Sequence, residues 1–313
     1  MFDASWHGPT GNSRSVKRSI HSPQAPVPTS AVLAETLGFH FVMIADHVAI
    51  TPDVSGRYPA PFFDPFITLA WLAGETKRVE LGTTVIVLPY RNPILTARLT
   101  ANIDQISGGR FIFGVGIGWA QQEFAAVGAD YHRRGAVTDE CLEAIKTLWT
   151  QNPASYEGRH IAFQDIDLSP MPVRSPHPPI WVGGASPAAL RRTVKYGDGW
   201  HPIRIRVDQL RDVGLPALRE TAERLERPVP ALCPRIRLGL TDSPLPEETR
   251  LAREGSVDQV RSDLAALEEL GAEYVLLDTW GDDLAETTLY ERTFAQYSTV
   301  AEKIADLPHE TVR

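Results

Sequence analysis

Residues 110–119 have the sequence Arg-Phe-Ile-Phe-Gly-Val-Gly-Ile-Gly-Trp, in which a short apolar run passes into three glycines at alternate positions. Glycines at the end of a buried strand allow a ligand or another backbone segment to approach the chain closely. The dinucleotide-binding fingerprint G-x-G-x-x-G needs its third glycine at the position of Trp119, so the spacing excludes that motif. The stretch predicts a buried strand whose end leaves room for a ligand or another backbone segment. The rest of the sequence must indicate which of the two lies there.

Apolar runs alternate with amphipathic stretches along most of the chain, at residues 41–45, 79–88, 111–115, 180–182, 199–203, 236–240 and 274–277. Consecutive apolar residues are typical of strands that are covered on both faces, which favours a parallel sheet. Asp64, Asn92 and Ser186 each stand before a proline, the arrangement of a helix cap followed by the first helical residue. Seven strands alternating with about eight helices predict a single α/β domain over residues 1–313, a (β/α)8 TIM barrel that is one strand short.

The missing strand should precede the first helix, which is expected at residues 30–37, but the N-terminal segment does not have the composition of a barrel strand. Residues 1–28 contain four prolines and few aliphatic residues, so residues 8–28 are predicted to be irregular. The first strand is therefore expected to be atypical or degenerate, either a short pairing of residues 2–6 or absent. A second irregularity, the proline-rich segment 151–178, is expected to form a hairpin excursion from the barrel.

Composition excludes several classes of function. The net charge of −8 and the lack of a basic stretch argue against a nucleic-acid partner. No apolar run approaches the roughly 18 residues that span a bilayer, so we expect a cytoplasmic protein without a membrane partner. No His-x-His pair occurs among the nine histidines, which argues against a metal-dependent hydrolase, and no metal site is expected. The expected partner is a small-molecule substrate, with a homodimer left open.

Reacting groups in such a barrel lie at the carboxyl ends of the strands, and polar or glycine residues stand at two of these ends and within one strand. Asp46 and His47 follow the first predicted strand, and a Gly-Thr-Thr sequence at residues 82–84 interrupts the second. Residues 183–186, Gly-Gly-Ala-Ser, join a strand to a proline-started helix, where backbone N–H groups and the helix dipole favour a phosphate. A tight turn with a helix cap and no ligand is the alternative for this last segment.

Taken together, these residues resemble the luciferase-like monooxygenase superfamily, and within it the deazaflavin-dependent oxidoreductases. The resemblance is close over residues 31–201. It is carried by Gly38-Phe39, Ala45-Asp46-His47, Pro61-Phe62-Phe63-Asp64-Pro65, Leu81-Gly82-Thr83-Thr84-Val85, Leu88-Pro89-Tyr90-Arg91-Asn92-Pro93, Ser107-Gly108-Gly109-Arg110, Gly114-Val115-Gly116-Ile117-Gly118-Trp119 with Glu123-Phe124, Pro178-Pro179-Ile180-Trp181-Val182-Gly183-Gly184 and Gly197-Asp198-Gly199-Trp200.

The resemblance implies an oxidoreductase that transfers a hydride between coenzyme F420, a 5-deazaflavin, and a small organic substrate. It implies a non-prolyl cis peptide bond near Val85, and a catalytic role for His47, which binds or protonates the substrate oxygen. Glu123 could face the same site, or it could stand in the first turn of its helix for the sake of the dipole. The residues expected to bind the cofactor are Asp46, Thr83, Thr84, Val85, Gly114, Gly116, Gly183, Gly184, Ala185 and Ser186.

Several alternatives remain open at this point. Asp46 could orient His47, meet the polar edge of the cofactor, or point away and cap a loop. His47 could be a hydrogen-bonded histidine without chemistry, and Arg57 and Arg91 are interpreted as solvated loop charges. An FMN-dependent monooxygenase and a non-catalytic barrel that binds the cofactor are the alternative functions.

Overall fold

The computed structural model of the protein describes residues 26–58, 62–248, 250–252, 254–279, 290–309 and 311–312. The helices are α1 Pro26–Leu37, α2 Pro52–Ser55, α3 Pro65–Glu75, α4 Pro93–Ser107, α5 Gln121–Ala126, α6 Arg134–Thr150, α7 Pro187–Tyr196, α8 Val207–Gln209, α9 Leu215–Arg224, α10 Val257–Glu269 and α11 Tyr290–Thr299. The strands are β1 Phe41–Ile44, β2 Glu80–Thr83, β3 Ile86–Val87, β4 Phe111–Gly116, β5 Ala154–Glu157, β6 Ala162–Ile166, β7 Ile180–Gly183, β8 Gly199–His201, β9 Ala231–Leu232, β10 Arg235–Arg237, β11 Gly239–Leu240, β12 Glu254–Gly255, β13 Leu276–Asp278, β14 Ala305–Asp306 and β15 Thr311–Val312.

A parallel sheet runs through the centre of the molecule in the order β1-β2-β4-β7-β8-β9, with β3 also paired to β4. Single parallel bridges, Ile203 to Arg235 and Leu232 to Ala272, continue it toward the parallel pair of β10 and β13. Helices follow the strands and cover the sheet, as the right-handed connection of parallel strands requires. The architecture is the predicted α/β barrel.

The main core lies between the sheet and the helices α3, α4 and α6. All six residues of β4 are buried, because this strand has paired neighbours on both edges and packed side chains on both faces. Trp149 of α6 packs edge-on against Phe113 with 5.5 Å between ring centroids, and its indole N–H donates to the carbonyl of Ala97 at 3.0 Å. A second core packs α7, α9 and α10 around Trp200.

The three expected helix caps are confirmed. The carboxylate of Asp64 accepts from the backbone N–H groups of Phe66 and Ile67, and Asn92 does the same at the start of α4. The Ser186 hydroxyl accepts from the N–H of Ala189. These caps fix where α3, α4 and α7 begin, and therefore the shape of the loops that precede them.

The structure corrects the expected element bounds at several places, among them the strand expected at residues 236–240, which divides into β10 and β11. The strand expected at residues 79–88 is broken after Thr83 and resumes at Ile86. The two-residue strand β9 was missed, because prolines stand on both sides of it and leave too few residues for a pattern. Helix α1 begins at Pro26, so residues 26–28 are helical and not irregular. The rest of the predicted irregular segment, and the pairing expected for residues 2–6, lie outside the described residues.

Segment 151–178 contains an antiparallel hairpin of β5 and β6. The hydroxyl groups of Tyr156 and Tyr196 donate to the Glu143 carboxylate, which ties this hairpin to α6 and α7. The hairpin therefore stands outside the parallel sheet but is anchored to the helices that cover it.

An open seam separates β1 from β13 within the described part of the chain, where β1 is hydrogen-bonded only to β2 and β13 only to β10. A cavity of about 990 Å³ runs along the seam and is lined by both strands. Near one end, the rings of Phe41 and Tyr274 meet across it with 5.5 Å between centroids.

An apolar patch, defined as the exposed large side chains of the adjacent helices α3 and α4, lies on the outer surface. Its members are Ile67, Trp71, Leu95 and Ile106, with exposed fractions of 76, 49, 55 and 60%. None of the helices in the described ranges is both long and apolar enough to cross a membrane.

Candidate active site at the barrel mouth

His47 and Glu123 form the centre of the site. His47 follows the end of β1, Glu123 lies in the first turn of α5, and the ring Nδ1 of His47 is 2.9 Å from Oε2 of Glu123. Glu123 is 1% exposed, and the His47 side chain is 8% exposed. Because the carboxylate accepts, Nδ1 carries a proton, and in the neutral imidazole Nε2 then presents a lone pair.

Glu123 is held by more than His47. Its Oε1 accepts from the backbone N–H of Val48 at 2.6 Å and of Ala49 at 3.1 Å, and its Oε2 accepts from the Tyr90 hydroxyl at 3.1 Å. Burial works against the charge, but these bonds and His47 hold the pKa of Glu123 below its usual value. Burial and the charge of Glu123 raise the pKa of Tyr90, so its hydroxyl remains a donor.

Aromatic rings enclose His47. Tyr58 and Phe62 lie 5.0 and 5.2 Å away, centroid to centroid, and Trp119 lies 6.0 Å away edge-on. Trp119 is 43% exposed, so it forms the outer wall of the pocket and not part of the core. The guanidinium of Arg57 lies over this ring, 5.4 Å from its centroid. The imidazole therefore faces an apolar compartment that opens to solvent past Trp119.

Asp46 points away from His47, although the two are adjacent in sequence. Its carboxylate accepts from the N–H of Val87 at 3.0 Å and from the Arg91 guanidinium at 2.6 Å. The interpretation of Arg91 as a solvated charge is wrong, because its side chain is 17% exposed and neutralises a buried carboxylate. Of the alternatives for Asp46, the structure selects the anchoring of a loop, with Arg91 between the carboxylate and solvent.

Residues 83–85 form a bulge between β2 and β3, and the peptide bond between Thr84 and Val85 is cis, as the resemblance implied. The bulge fills the space beside the glycines of β4. A Cβ on Gly114 would lie 1.8 Å from the Thr83 carbonyl oxygen, and one on Gly116 would lie 2.6 Å from a methyl of Val85. Protein atoms thus occupy the space that a side chain at Gly114 or Gly116 would need, and contact of these glycines with a cofactor stays a prediction.

Thr84 is bound by three other strands. Its N–H donates to Ile44 O at 2.8 Å, and its hydroxyl lies 2.9 Å from Nε2 of His201. Nη1 of Arg235 donates to the Thr84 carbonyl at 2.9 Å, and Asp278 pairs with the same guanidinium at 2.7 Å. Burial lowers the pKa of His201 to about 4, so the ring is neutral at pH 7.

The turn at residues 183–186 lies at the carboxyl end of β7. Gly184, Ala185 and Ser186 are exposed, and Gly184 has φ +100°, a conformation that side chains rarely adopt. The indole N–H of Trp200 donates to the Gly184 carbonyl at 2.8 Å and fixes the turn. Backbone at the start of the ten-residue helix α7 is thus open to an anionic group.

The sequence did not indicate the roles of Tyr58, His201, Arg235 and Asp278. A weak signal existed for Asp278, which stands just past the predicted strand at residues 274–277, whereas His201 lies inside the predicted strand 199–203 and Arg235 precedes the one at 236–240. Tyr58 lies in a loop, and only the folded chain brings it to His47.

The model of the luciferase-like monooxygenase family matches residues 7–244. An uncharacterised protein of Mycobacterium tuberculosis is 29% identical over 237 residues, which cover 68% of this chain and 84% of that one. An F420-dependent glucose-6-phosphate dehydrogenase of Kineococcus radiotolerans is 32% identical over 62% of this chain and 57% of its own length. An FMNH2-dependent dimethylsulfone monooxygenase of Pseudomonas putida is 32% identical over 45% of this chain and 41% of its own length.

Solved structures share the fold. The monooxygenase RslO1 of Streptomyces bottropensis has a TM-score of 0.74 and 23% identity over 91% of this chain and 92% of that one. The coenzyme F420-dependent tetrahydromethanopterin reductase of Methanopyrus kandleri has a TM-score of 0.72 and 18% identity over 91% of this chain and 96% of that one. At these identities the likeness concerns the fold, whereas the family match covers most of the sequence. The chain belongs to the luciferase-like monooxygenase family of oxidoreductases.

Proposed function

We propose that the protein is a deazaflavin-dependent oxidoreductase that moves a hydride between coenzyme F420 and a small organic alcohol or carbonyl compound. The observation that carries the proposal is the pairing of His47 with a buried carboxylate, which directs the proton to Nδ1 and leaves Nε2 as a base inside an aromatic pocket. Removal of a hydride from an alcohol requires such a base for the hydroxyl proton.

Each residue of the pocket has a role in this proposal. Nε2 of His47 accepts the proton of the substrate hydroxyl, or returns it to the carbonyl oxygen in the reverse direction. Glu123 fixes the tautomer and stabilises the imidazolium by its charge. Tyr58, Phe62 and Trp119 exclude water from the apolar part of the substrate.

The residues present fit a flavin-like cofactor at two places. The exposed turn at residues 183–186 and the start of α7 would hold its phosphate. The bulge at Thr84 and Val85, for which β4 has glycines in place of larger residues, would support the ring. The cofactor would supply the hydride acceptor or donor, a chemistry that no protein side chain provides. Asp46 would contribute only indirectly, since Val87 N–H and Arg91 occupy its carboxylate.

FMN is the second candidate cofactor, and with it a monooxygenase. Relatives that are named for FMNH2 and relatives that are named for F420 both match this chain. Fluorescence titration of the purified protein with each cofactor tests the choice. We expect tighter binding of the deazaflavin, and stoichiometric FMN binding with none of the deazaflavin would overturn the proposal.

The substitution His47→Ala separates binding from chemistry. We expect cofactor affinity to stay within a few-fold, while turnover falls by about 10² or more because the base is lost. His309→Ala is the matched control, since His309 pairs with Asp306 at the surface. Unchanged turnover of His47→Ala would assign His47 a purely structural role. Cofactor binding without turnover of any alcohol or carbonyl acceptor would instead favour the non-catalytic alternative.

A further inference from the structure

We infer that Arg235 is a positioning residue, which fixes the Thr84 bulge from across the barrel so that the bulge can support a cofactor ring. Its guanidinium spans two groups on different strands. Nη1 donates to the carbonyl and hydroxyl oxygens of Thr84 at 2.9 and 3.3 Å, and Nε donates to Asp278 at 2.9 Å. This inference rests on the proposed function, because it assigns the bulge to the cofactor.

His201 completes the set of bonds around Thr84. Its Nδ1 lies 2.5 Å from the Cys233 carbonyl, which can only accept, so Nδ1 carries the proton and Nε2 accepts from the Thr84 hydroxyl. The hydroxyl oxygen in turn accepts from Arg235. With its N–H bound to Ile44, every polar group of Thr84 has a partner on another strand. One conformation of the bulge is thereby selected.

Stability alone does not account for this arrangement. Arg235 and Asp278 are 12 and 21% exposed, and a partly buried ion pair of this kind adds little stability relative to apolar side chains of similar size. The ion pair instead fixes the orientation of the Arg235 guanidinium. Oδ2 of Asp278 lies 2.9 Å from Nε and 2.7 Å from Nη2, on one edge of the planar guanidinium, so Nη1 is left to donate to the Thr84 carbonyl. The bonds converge on Thr84, which precedes Val85 in the bulge.

The chain offers a matched control for the test. Arg250 and Asp263 form a second ion pair with side-chain exposed fractions of 8 and 9%, between the segment before β12 and helix α10. No residue of the mouth belongs to this pair. It has the same chemistry and similar burial, so its removal reports the purely structural cost.

The experiment compares Arg235→Met/Asp278→Asn with Arg250→Met/Asp263→Asn, so that neither variant keeps an unpaired buried charge. Urea unfolding measures stability, and fluorescence titration with the deazaflavin measures binding. We expect the Arg235 variant to bind at least tenfold more weakly and the Arg250 variant to bind within twofold of the wild type, at comparable losses of stability. Arg235→Lys should recover part of the affinity, because one ammonium can reach Thr84 or Asp278 but not align with both.

Hydrogen exchange at the Thr84 and Val85 amides provides a readout that needs no cofactor. Faster exchange in the Arg235 variant than in the Arg250 variant supports the positioning role, even if the wild type binds neither cofactor and the proposed function fails. Equal exchange, or binding by the Arg235 variant within twofold of the wild type, overturns the inference and leaves the proposed function intact.

Discussion

Glu123→Gln removes one charge from the centre of the site and changes no shape. The carboxylate accepts four hydrogen bonds, two on each oxygen, whereas an amide has one acceptor oxygen and two N–H donors. If the amide oxygen faces the N–H groups of Val48 and Ala49, the NH2 group faces His47. Nδ1 must then accept, and the ring proton moves to Nε2, where it blocks the base.

The opposite orientation of the amide is worse, because its NH2 group would face two backbone donors in a site that is 1% exposed. We therefore expect the first orientation. In this orientation Glu123→Gln replaces hydrogen bonds to a charged acceptor, each of about 1.5–3 kcal/mol, by hydrogen bonds to a neutral one. The free energy of unfolding should fall by about 1–3 kcal/mol. Turnover should fall by about 10² or more, the scale of losing a general base, while cofactor affinity stays within a few-fold.

Three measurements check this prediction: urea unfolding, steady-state kinetics, and the ¹⁵N shifts of the His47 ring at pH 7.5. Glu140→Gln is the matched control, because Glu140 accepts from the backbone N–H groups of His160 and Ile161 and lies outside the candidate site. It should lose stability and keep its turnover. A Glu123→Gln protein that keeps both wild-type turnover and a proton on Nδ1 would refute the assigned role of Glu123.

Other perturbations test single features. Burial lowers the folded-state pKa of His201 from 6.5 to about 4. Its contribution to stability is therefore full above pH 6.5 and is lost, by about 3 kcal/mol at most, as the pH falls toward 4. Urea unfolding between about pH 7 and 4.5 should show this dependence, and His201→Gln should reduce it. Gly114→Ala places a methyl 1.8 Å from a carbonyl oxygen and should cost about 3 kcal/mol or more in chemical unfolding. Gly183→Val, whose Cβ has 3.5 Å to its nearest neighbours, should fold but lose cofactor affinity, and a wild-type Kd would move the phosphate site elsewhere. If the apolar patch is a homodimer interface, Trp71→Lys with Ile106→Lys should halve the mass by light scattering, whereas a monomeric wild type would contradict that expectation.

The barrel was predictable because its strands are buried on both faces and therefore consist of consecutive apolar residues, as β4 does. Helix starts were predictable because the capping side chain and the proline act within one turn. Where the chain leaves regular geometry, local patterns failed. In the apolar run at residues 79–88, the Gly-Thr-Thr sequence indicates an irregularity but not that the strand breaks at Thr84, since the break depends on space that β4 provides from 30 residues further along.

The site was predictable in part. His47 was predicted because it stands at a strand end, and Glu123 because it stands in the first turn of its helix. Nothing in the sequence paired these two residues, which lie 76 positions apart, and the neighbouring Asp46 was the alternative partner. Alternation of side chains along a strand sends adjacent residues in opposite directions, and the sequence alone does not say which of them faces the mouth. Arg91 was misjudged for a related reason, since only the structure places the buried carboxylate that it neutralises.

The seam between β1 and β13 gives the barrel a mechanical character of its own. A barrel whose strands are hydrogen-bonded all the way round resists widening, because every pair of neighbouring strands contributes to the resistance. Among the described residues, no strand pairing joins β1 to β13, so the distance across the seam depends on side-chain bonds that cross the interior. The Arg235 guanidinium makes such bonds, because it joins Thr84, next to β2, to Asp278 on the far side of the seam. Among the described strands, single side chains therefore contribute to the shape of the mouth at the place where no backbone hydrogen bonds join β1 to β13.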